Sequence, residues 1–482
     1  MPDKEMAYII SDADIATANS WCQQEWETVD LGDKRLNRRL VETAVKLTAQ
    51  PQAPINQASG DWATTRGSYR LFRNEKVRVA EILRPHHEQT QRRMQAYDLV
   101  LAVQDTSYLD YTSHPQTQEL GPIGTAQQDL QGLLLHQTLV ITPDGLPLGG
   151  LAQEIWRRDP DAPVLSKAER QRRPIEAKES YKWITALRET ARYTPEEVEV
   201  VSVCDREADV YELFVEAERL DMGLLVRATQ DRSVLDVETA KIWATIEATE
   251  VSGELQVHVP ARRQGGRHEP KRTAIVSVRF AYVTLKPPYR PKRAERAPLP
   301  PIGLDVILVR EVEPPAGVTP LEWLLLTNVS VQSFTDAVAR VQWYRCRWQI
   351  EIYFRVLKSG CHVEACRLGT AARLERFIAL KSVIAWRLYW MTHINRCAPD
   401  APCVVVLAEH EWHALYATIQ RTAQLPTQTP TVRQVVRWIA QLGGFLARKG
   451  DGEPGITAIW RGWQRLHDIA TTWLVLRKGS YG

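Results

Sequence analysis

Paired cysteines are missing from this 482-residue chain: its seven cysteines are odd in number, scattered, and form no CxxC pair. That excludes a disulfide framework, and it leaves Cys361, His362 and Cys366 without the second ligand cluster a structural zinc site needs. Long apolar runs are missing too. The most apolar stretches, such as LEWLLLTNV at 321–329, fall far short of the ~20 residues of a membrane helix. The start, MPDKEMAYIISDADIATAN, interrupts its short apolar run with acids, unlike a signal peptide. A charge excess is absent as well, since 61 Lys/Arg face 58 Asp/Glu for a formal +3. Any polyanion-binding surface must therefore come from local segregation of charge. No internal repeat is evident. What is present is 44% apolar and 25% charged residues, the composition of a soluble, intracellular protein of two to four domains.

Residues 1–75 read as a helical domain. In LGDKRLNRRLVETAVKLTAQ, Leu36, Leu40, Ala44 and Leu47 recur at helical spacing, with Asp33 as N-cap and Pro51 as stop. The outer face carries Lys34, Arg35, Arg38 and Arg39, and a second cluster adds Arg66, Arg70 and Arg73 among Trp62, Tyr69 and Phe72. A solvated basic face and a DNA contact are both open readings.

Residues 76–394 read as an α/β domain. DLVLAVQDTSYLDY has a short, nearly continuous apolar run, then polar residues, then Tyr108 to Tyr111, while LLLHQTLVITPDGLPLGGLAQEIW, VEVVSVCDREAD and LLVRAT are strand candidates, the first of these a hairpin about Pro143-Asp144-Gly145. Helices are expected from Trp183 and over YELFVEAERL. A β-rich insertion spans about 235–320. Within it, residues 261–296 hold eleven Lys/Arg against two Glu, a segregated charge suited to phosphate. DAVARVQWYRCRWQIEIYFRVLKSG is expected to form one long helix ending at Gly360, followed by a helix at 375–394, and residues 395–482 to form a helical C-terminal domain.

Three acids stand out. Asp105 and Asp205 are each expected at or near the C-terminal end of a strand, where α/β sites collect. Glu351 lies in a cationic helix, on a stripe formed by Tyr344, Arg347, Glu351, Arg355 and Lys358 at steps of three, four, four and three. Carboxylates gathered together repel unless a cation neutralises them, and all-oxygen ligation suits Mg²⁺ or Mn²⁺. Two such ions can activate a water or hydroxyl and stabilise the leaving oxygen of a phosphodiester. Turn or cap aspartates and a surface ion-pair network are the alternative readings of these acids.

YRCRWQIEIYFRVLKSG fits the Y-(2)-R-(3)-E-(6)-K signature at Tyr344, Arg347, Glu351 and Lys358, alongside QDTSYLDY and VCDREADVYEL. On these segments the chain resembles the cut-and-paste bacterial transposases of the IS-four group, including the Tn-five type. The resemblance implies a ribonuclease H-like, mixed five-stranded sheet flanked by helical domains, with Asp105, Asp205 and Glu351 holding Mg²⁺ (or Mn²⁺). It implies phosphate contacts for Tyr344, Arg347, Lys358 and Arg227, and base stacking for Trp323 during hairpin formation. A salt bridge for Arg227 and core packing for Trp323 remain open. The implied partners are double-stranded DNA with terminal inverted repeats, target DNA, and a second copy of the chain in a synaptic complex, within a bacterial cytoplasm. The implied reaction is end cleavage, hairpin formation and strand transfer. A ribonuclease H-like nuclease and an inactive end-binding regulator are the alternatives.

Overall fold

The computed structural model describes residues 18–479 apart from 126, 164, 236–240, 260–261, 265–266 and 289–297. Part of the basic run at 261–296 therefore lies outside the described residues. The chain opens with α1 (Ala18–Glu25), α2 (Lys34–Ala49), α3 (Ile55–Ser59), α4 (Trp62–Arg73) and α5 (Val79–Met94). Asp33 caps α2, accepting from the Arg35 N–H at 2.7 Å, and Asp61 caps α4 through the Thr64 N–H at 2.8 Å. Leu40, Thr43, Ala44, Leu47 and Thr48 form the buried face of α2. Lys34, Arg35, Arg38, Arg66, Arg70 and Arg73 stay exposed, as does the Trp62 indole.

The central sheet begins with β1 (Leu99–Asp110), β2 (Gly121–Ile123), β3 (Leu130–Ile141) and β4 (Pro147–Trp156). After α6 (Lys167–Arg172) and α7 (Tyr181–Arg192) come β5 (Glu199–Cys204), α8 (Tyr211–Arg219) and β6 (Gly223–Arg227). β1, β3 and β4 form an antiparallel meander, and β5 and β6 run parallel to β1, giving the order β4-β3-β1-β5-β6. This is the five-strand arrangement expected from the sequence, but the sheet does not stop there. The insertion supplies α9 (Ile242–Glu247), β7 (Gly253–Val259), β8 (Arg262–Gln264), β9 (Arg267–Glu269), β10 (Arg272–Leu285), β11 (Ile302–Glu311) and β12 (Glu322–Thr327). β12 pairs antiparallel with β6, and β11, β10 and β7 follow, so one ten-stranded sheet results, with β8 and β9 as a separate hairpin. The β-rich insertion expected at about 235–320 thus joins the central sheet through β12. β6 alone would present an edge of unpaired N–H and C=O groups, and β12 satisfies them.

The remainder is helical: α10 (Phe334–Arg345), α11 (Trp348–Arg355), a π turn at Val356–Gly360, α12 (Ala371–Cys397), α13 (Glu409–Gln420), α14 (Val432–Leu442) and α15 (Ile456–Gly479). The single long helix expected over 335–360 is corrected to α10, α11 and the π turn. At the join the backbone bonds shorten to three-residue closures, Arg347 N–H to Tyr344 O at 3.1 Å and Ile350 N–H to Arg347 O at 3.3 Å. At the far end Cys361 N–H closes a wide turn on Val356 O at 2.8 Å. α12 is the spine of the molecule. Its Arg376 reaches Val77 O at 2.5 Å, Lys381 reaches Pro51 O at 2.8 Å, and the Trp386 indole donates to Pro147 O at 3.1 Å.

Candidate active site

The parallel ladder between β1 and β5 runs to the rung Val103↔Val203, and Asp105 and Asp205 each stand two residues beyond it. The two aspartates thus emerge at one level on neighbouring strands. Asp205 directly follows β5, and its carboxylate caps the turn Arg206–Ala208 by accepting the Glu207 N–H at 2.8 Å. Asp105 departs from expectation: it lies in mid-strand, because β1 runs on to Asp110 by pairing with β3 alone. Its Oδ1 accepts the Thr106 N–H at 2.7 Å.

Glu351 reaches this pair through Arg347. The guanidinium bridges Asp105 Oδ2 at 3.2 Å and Glu351 Oε1 at 2.8 Å, and it lies 5.2 Å from the ring of the exposed Trp348. Burial pushes the Asp105 carboxyl up to about 6; Arg347 opposes the shift, and the charges of Asp205 and Glu351 add to it. Burial also raises Asp205, against the pull of the Glu207 N–H and of Arg347 and Lys182. Burial disfavours the charge on Arg347, but Tyr344, Asp105 and Glu351 outweigh it and hold its pKa above the ordinary value. The hairpin turn between β3 and β4 seats this helix: Cys346 Sγ faces Pro143 O at 3.5 Å, and Gly145, at φ +94°, leaves room for Gln349. Gln349 in turn accepts the Tyr389 hydroxyl at 3.0 Å.

Tyr344 is buried edge-on against Trp323 of β12, with ring centroids 5.5 Å apart. Burial raises its hydroxyl pKa, while Arg347 and Arg227 pull it down. Arg227, opposite Leu325 in the β6–β12 ladder, also donates to Glu322 O at 3.2 Å. Lys358, in the π turn, contacts the Tyr108 carbonyl near the far end of β1 and pairs with Glu364 at 3.5 Å. The structure therefore gathers Asp105, Asp205, Glu351, Arg347, Tyr344, Arg227 and Trp323, with Lys358 further along β1. Arg355 is exposed, lies within electrostatic reach of Tyr389, and makes no ion pair among the described residues. Two neighbours escaped the sequence reading. Lys182 of α7 pairs with Glu207 at 3.5 Å and lowers the Asp205 carboxyl, and no local spacing announces it. Trp348 sits inside the signature, yet only its exposure distinguishes it from a core residue.

Among the described residues no group of three His, Cys, Asp or Glu is already drawn together as a metal cluster. The donor chemistry nonetheless fits a hard divalent ion, since all three acids offer only oxygen. Burial, with a smaller repulsion from Asp205 and Glu351, raises Asp105, and a cationic guanidinium lies between Asp105 and Glu351.

Three family models match the chain: transposase DNA-binding at residues 18–77, transposase DDE domain at 171–388, and transposase Tn5 dimerisation domain at 383–475. The DDE match takes in Asp205 and the whole Tyr-Arg-Glu-Lys signature. Asp105 precedes it, so its membership in the cluster rests on the β1–β5 register and the Arg347 bridge.

Proposed function

Because the chain belongs to the Tn5-type DDE transposases of the IS-four group, we propose that Asp105, Asp205 and Glu351 are its catalytic acids and hold Mg²⁺, with Mn²⁺ as a substitute. The protein is a DNA transposase of the cut-and-paste type, with metal-dependent chemistry, a domain for DNA ends and a domain for homodimer formation. The observation that carries the assignment is the Arg347 bridge from Asp105 to Glu351, beside Asp205 at the same sheet level.

When bound, the ions supply an activated water or 3′-hydroxyl and charge stabilisation at the leaving oxygen. The chain's own residues do the rest. Arg347 exchanges its carboxylate partners for a phosphate of the bound end, freeing Asp105 and Glu351 for metal. Tyr344, Arg227 and Lys358 orient the flanking phosphates, as a planar guanidinium and a compact ammonium can. Trp323 stacks on a displaced base during a hairpin step. We assign end binding to residues 1–75, chemistry to 76–394 and dimer contacts to 395–482, with two ends held in one synaptic complex before transfer to target DNA. A bacterial cytoplasmic site, at the nucleoid when DNA is bound, accords with the lack of any membrane-length apolar helix among the described residues.

The test compares Asp105→Asn, Asp205→Asn and Glu351→Gln on duplexes carrying the inverted repeats that flank the reading frame. Each variant is expected to bind the end but lose cleavage by at least about 10³-fold, the scale of removing an electrostatic element of the reaction. Pre-cut ends that join target DNA with the unaltered protein distinguish a transposase from a plain nuclease. Wild-type cleavage by any one variant removes that residue from the catalytic set.

A further inference from the structure

On the face of β1 opposite Asp105, at the same level, lies a string of polar side chains, buried except for the partly exposed Thr106. Thr106 Oγ1 is 2.9 Å from His136 Nδ1, His136 Nε2 is 3.3 Å from Gln104 Oε1, and Gln104 Nε2 donates to Ser202 Oγ at 2.7 Å. The string thus starts on the residue after Asp105 and ends on Ser202, three residues before Asp205, crossing β3, β1 and β5. Gln104 and Ser202 are fully buried and His136 is 1% exposed, its ring edge-on to Trp183 at 4.6 Å.

With the Gln104 amide N–H placed on Ser202, the other protons of the string follow. Gln104 spends its amide N–H on Ser202, so its carbonyl accepts from His136 Nε2–H. His136 Nδ1 is then bare and accepts the Thr106 hydroxyl proton. Both ring nitrogens of the histidine are thereby engaged within the string.

A sheet interior does not need such a string for stability, because replacing hydrogen-bonded buried groups with apolar ones of similar shape is nearly neutral. The geometry gives it another use. Parallel pairing between β1 and β5 ends at Val103↔Val203, so the stretch of β1 bearing Asp105 has β3 on one side and no ladder on the other. The Gln104–Ser202 bond ties β1 to β5 where the ladder stops. His136 holds Thr106, whose backbone N–H in turn fixes the Asp105 carboxylate at 2.7 Å.

We infer that His136 is a positioning residue for DNA cleavage, the centre of a hydrogen-bonded chain that sets the spacing of Asp105 and Asp205. The inference rests on the reading of those aspartates as the catalytic acids, and it extends that reading to Thr106 and to the buried side chains of His136, Gln104 and Ser202.

The test uses the full-length protein with a duplex bearing the flanking inverted repeat. Its variants are His136→Phe, His136→Gln and Thr106→Val. Three quantities are measured: end affinity in EDTA, Mn²⁺ binding to the protein–DNA complex by electron paramagnetic resonance, and the Mn²⁺ concentration for half-maximal cleavage. His136→Phe and Thr106→Val are expected to bind the end as the unaltered protein does. Both should bind Mn²⁺ about 10-fold more weakly, the low end of the loss when residues that orient a metal ligand from outside the metal's own shell are altered. Cleavage should then require about 10-fold more Mn²⁺. His136→Gln, which keeps one donor and one acceptor, should recover most of the affinity. A merely structural role would lower the melting temperature without moving the Mn²⁺ titration. If His136→Phe does not fold, Thr106→Val, the loss of one hydroxyl at a partly exposed position, decides alone. Wild-type Mn²⁺ binding in Thr106→Val, with an inactive Asp105→Asn control, overturns the positioning role and leaves the acids in place. Wild-type cleavage by Asp105→Asn overturns the reading of the acids instead.

Discussion

Arg347 is the side chain on which the site turns. It compensates two of three crowded acids, yet the compensation is partial, because Asp105 is still held up at about 6. A carboxyl raised in the fold destabilises it: the cost is absent below about pH 4, grows as pH rises toward 6, and is constant above. Asp105→Asn removes that cost. In EDTA at pH 7.5 it is expected to be more stable, on the order of 2 kcal/mol, with the gain vanishing near pH 4 in thermal melts. A variant that melts lower at neutral pH would show that the bridge outweighs burial. The same shift gives a proton-linked metal site: Mn²⁺ affinity should climb as pH rises through about 6 and then level. The signature spacing and the flanking strand segments made the acids and Tyr344, Arg347 and Lys358 legible in the sequence. The Arg347–Asp105 contact was not, because it spans 242 residues and depends on how two elements pack.

The helix carrying Glu351 shows why spacing alone misleads. A stripe drawn at 3.6 residues per turn assumes one pitch, but the chain tightens at Cys346–Arg347 and widens at Val356–Gly360. Tyr344 is thereby turned toward Trp323 and Lys358 toward Tyr108, while Arg355, which shares the ideal stripe, stays exposed. The β1 strand was mislocated for a related reason. Its apolar run ends near Asp105, but pairing with β3 carries it five residues further. The β3–β4 turn fixes the phase of the Glu351 helix. Gly145→Val is expected to cost about 1–2 kcal/mol, since a Cβ there sits on left-handed backbone. It would also meet the Gln349 amide at 2.2 Å. Cleavage should fall more than end affinity, and equal losses in both assays would count against a role in seating Glu351.

Across the chain, the helices before the sheet and those after it meet on α12, so the regions matched by the DNA-binding, DDE and dimerisation models share one spine. The joint nearest the sheet is a buried cluster. Glu25 accepts from Arg93 at 3.0 and 3.1 Å and contacts His86 Nδ1, while His86 Nε2 accepts the Gly150 N–H at 2.9 Å and Arg93 lies 4.3 Å over Trp386. Burial pushes Glu25 up, but Arg93 and His86 outweigh it and hold the carboxyl at about 2. Its contribution is therefore complete above about pH 4.5 and is lost as pH falls toward 2. Glu25→Ala, which leaves Arg93 without its partner, is expected to destabilise by about 3–5 kcal/mol. Hydrogen exchange should show α1 and α5 opening from β4; unchanged protection there would mean the joint is held by packing alone. The strands and helices of each region could be read from local pattern, but the ten-stranded continuity and this joint could not. Both depend on pairings between segments far apart in the chain.

The most direct measurement is anomalous scattering from Mn²⁺ in crystals of the protein with its pre-cut end. Peaks are expected within about 2.2 Å of oxygens of Asp105, Asp205 and Glu351, with the Arg347 guanidinium withdrawn to a DNA phosphate. An ordered complex with Arg347 still bridging Asp105 and Glu351, and manganese elsewhere, would contradict the assignment.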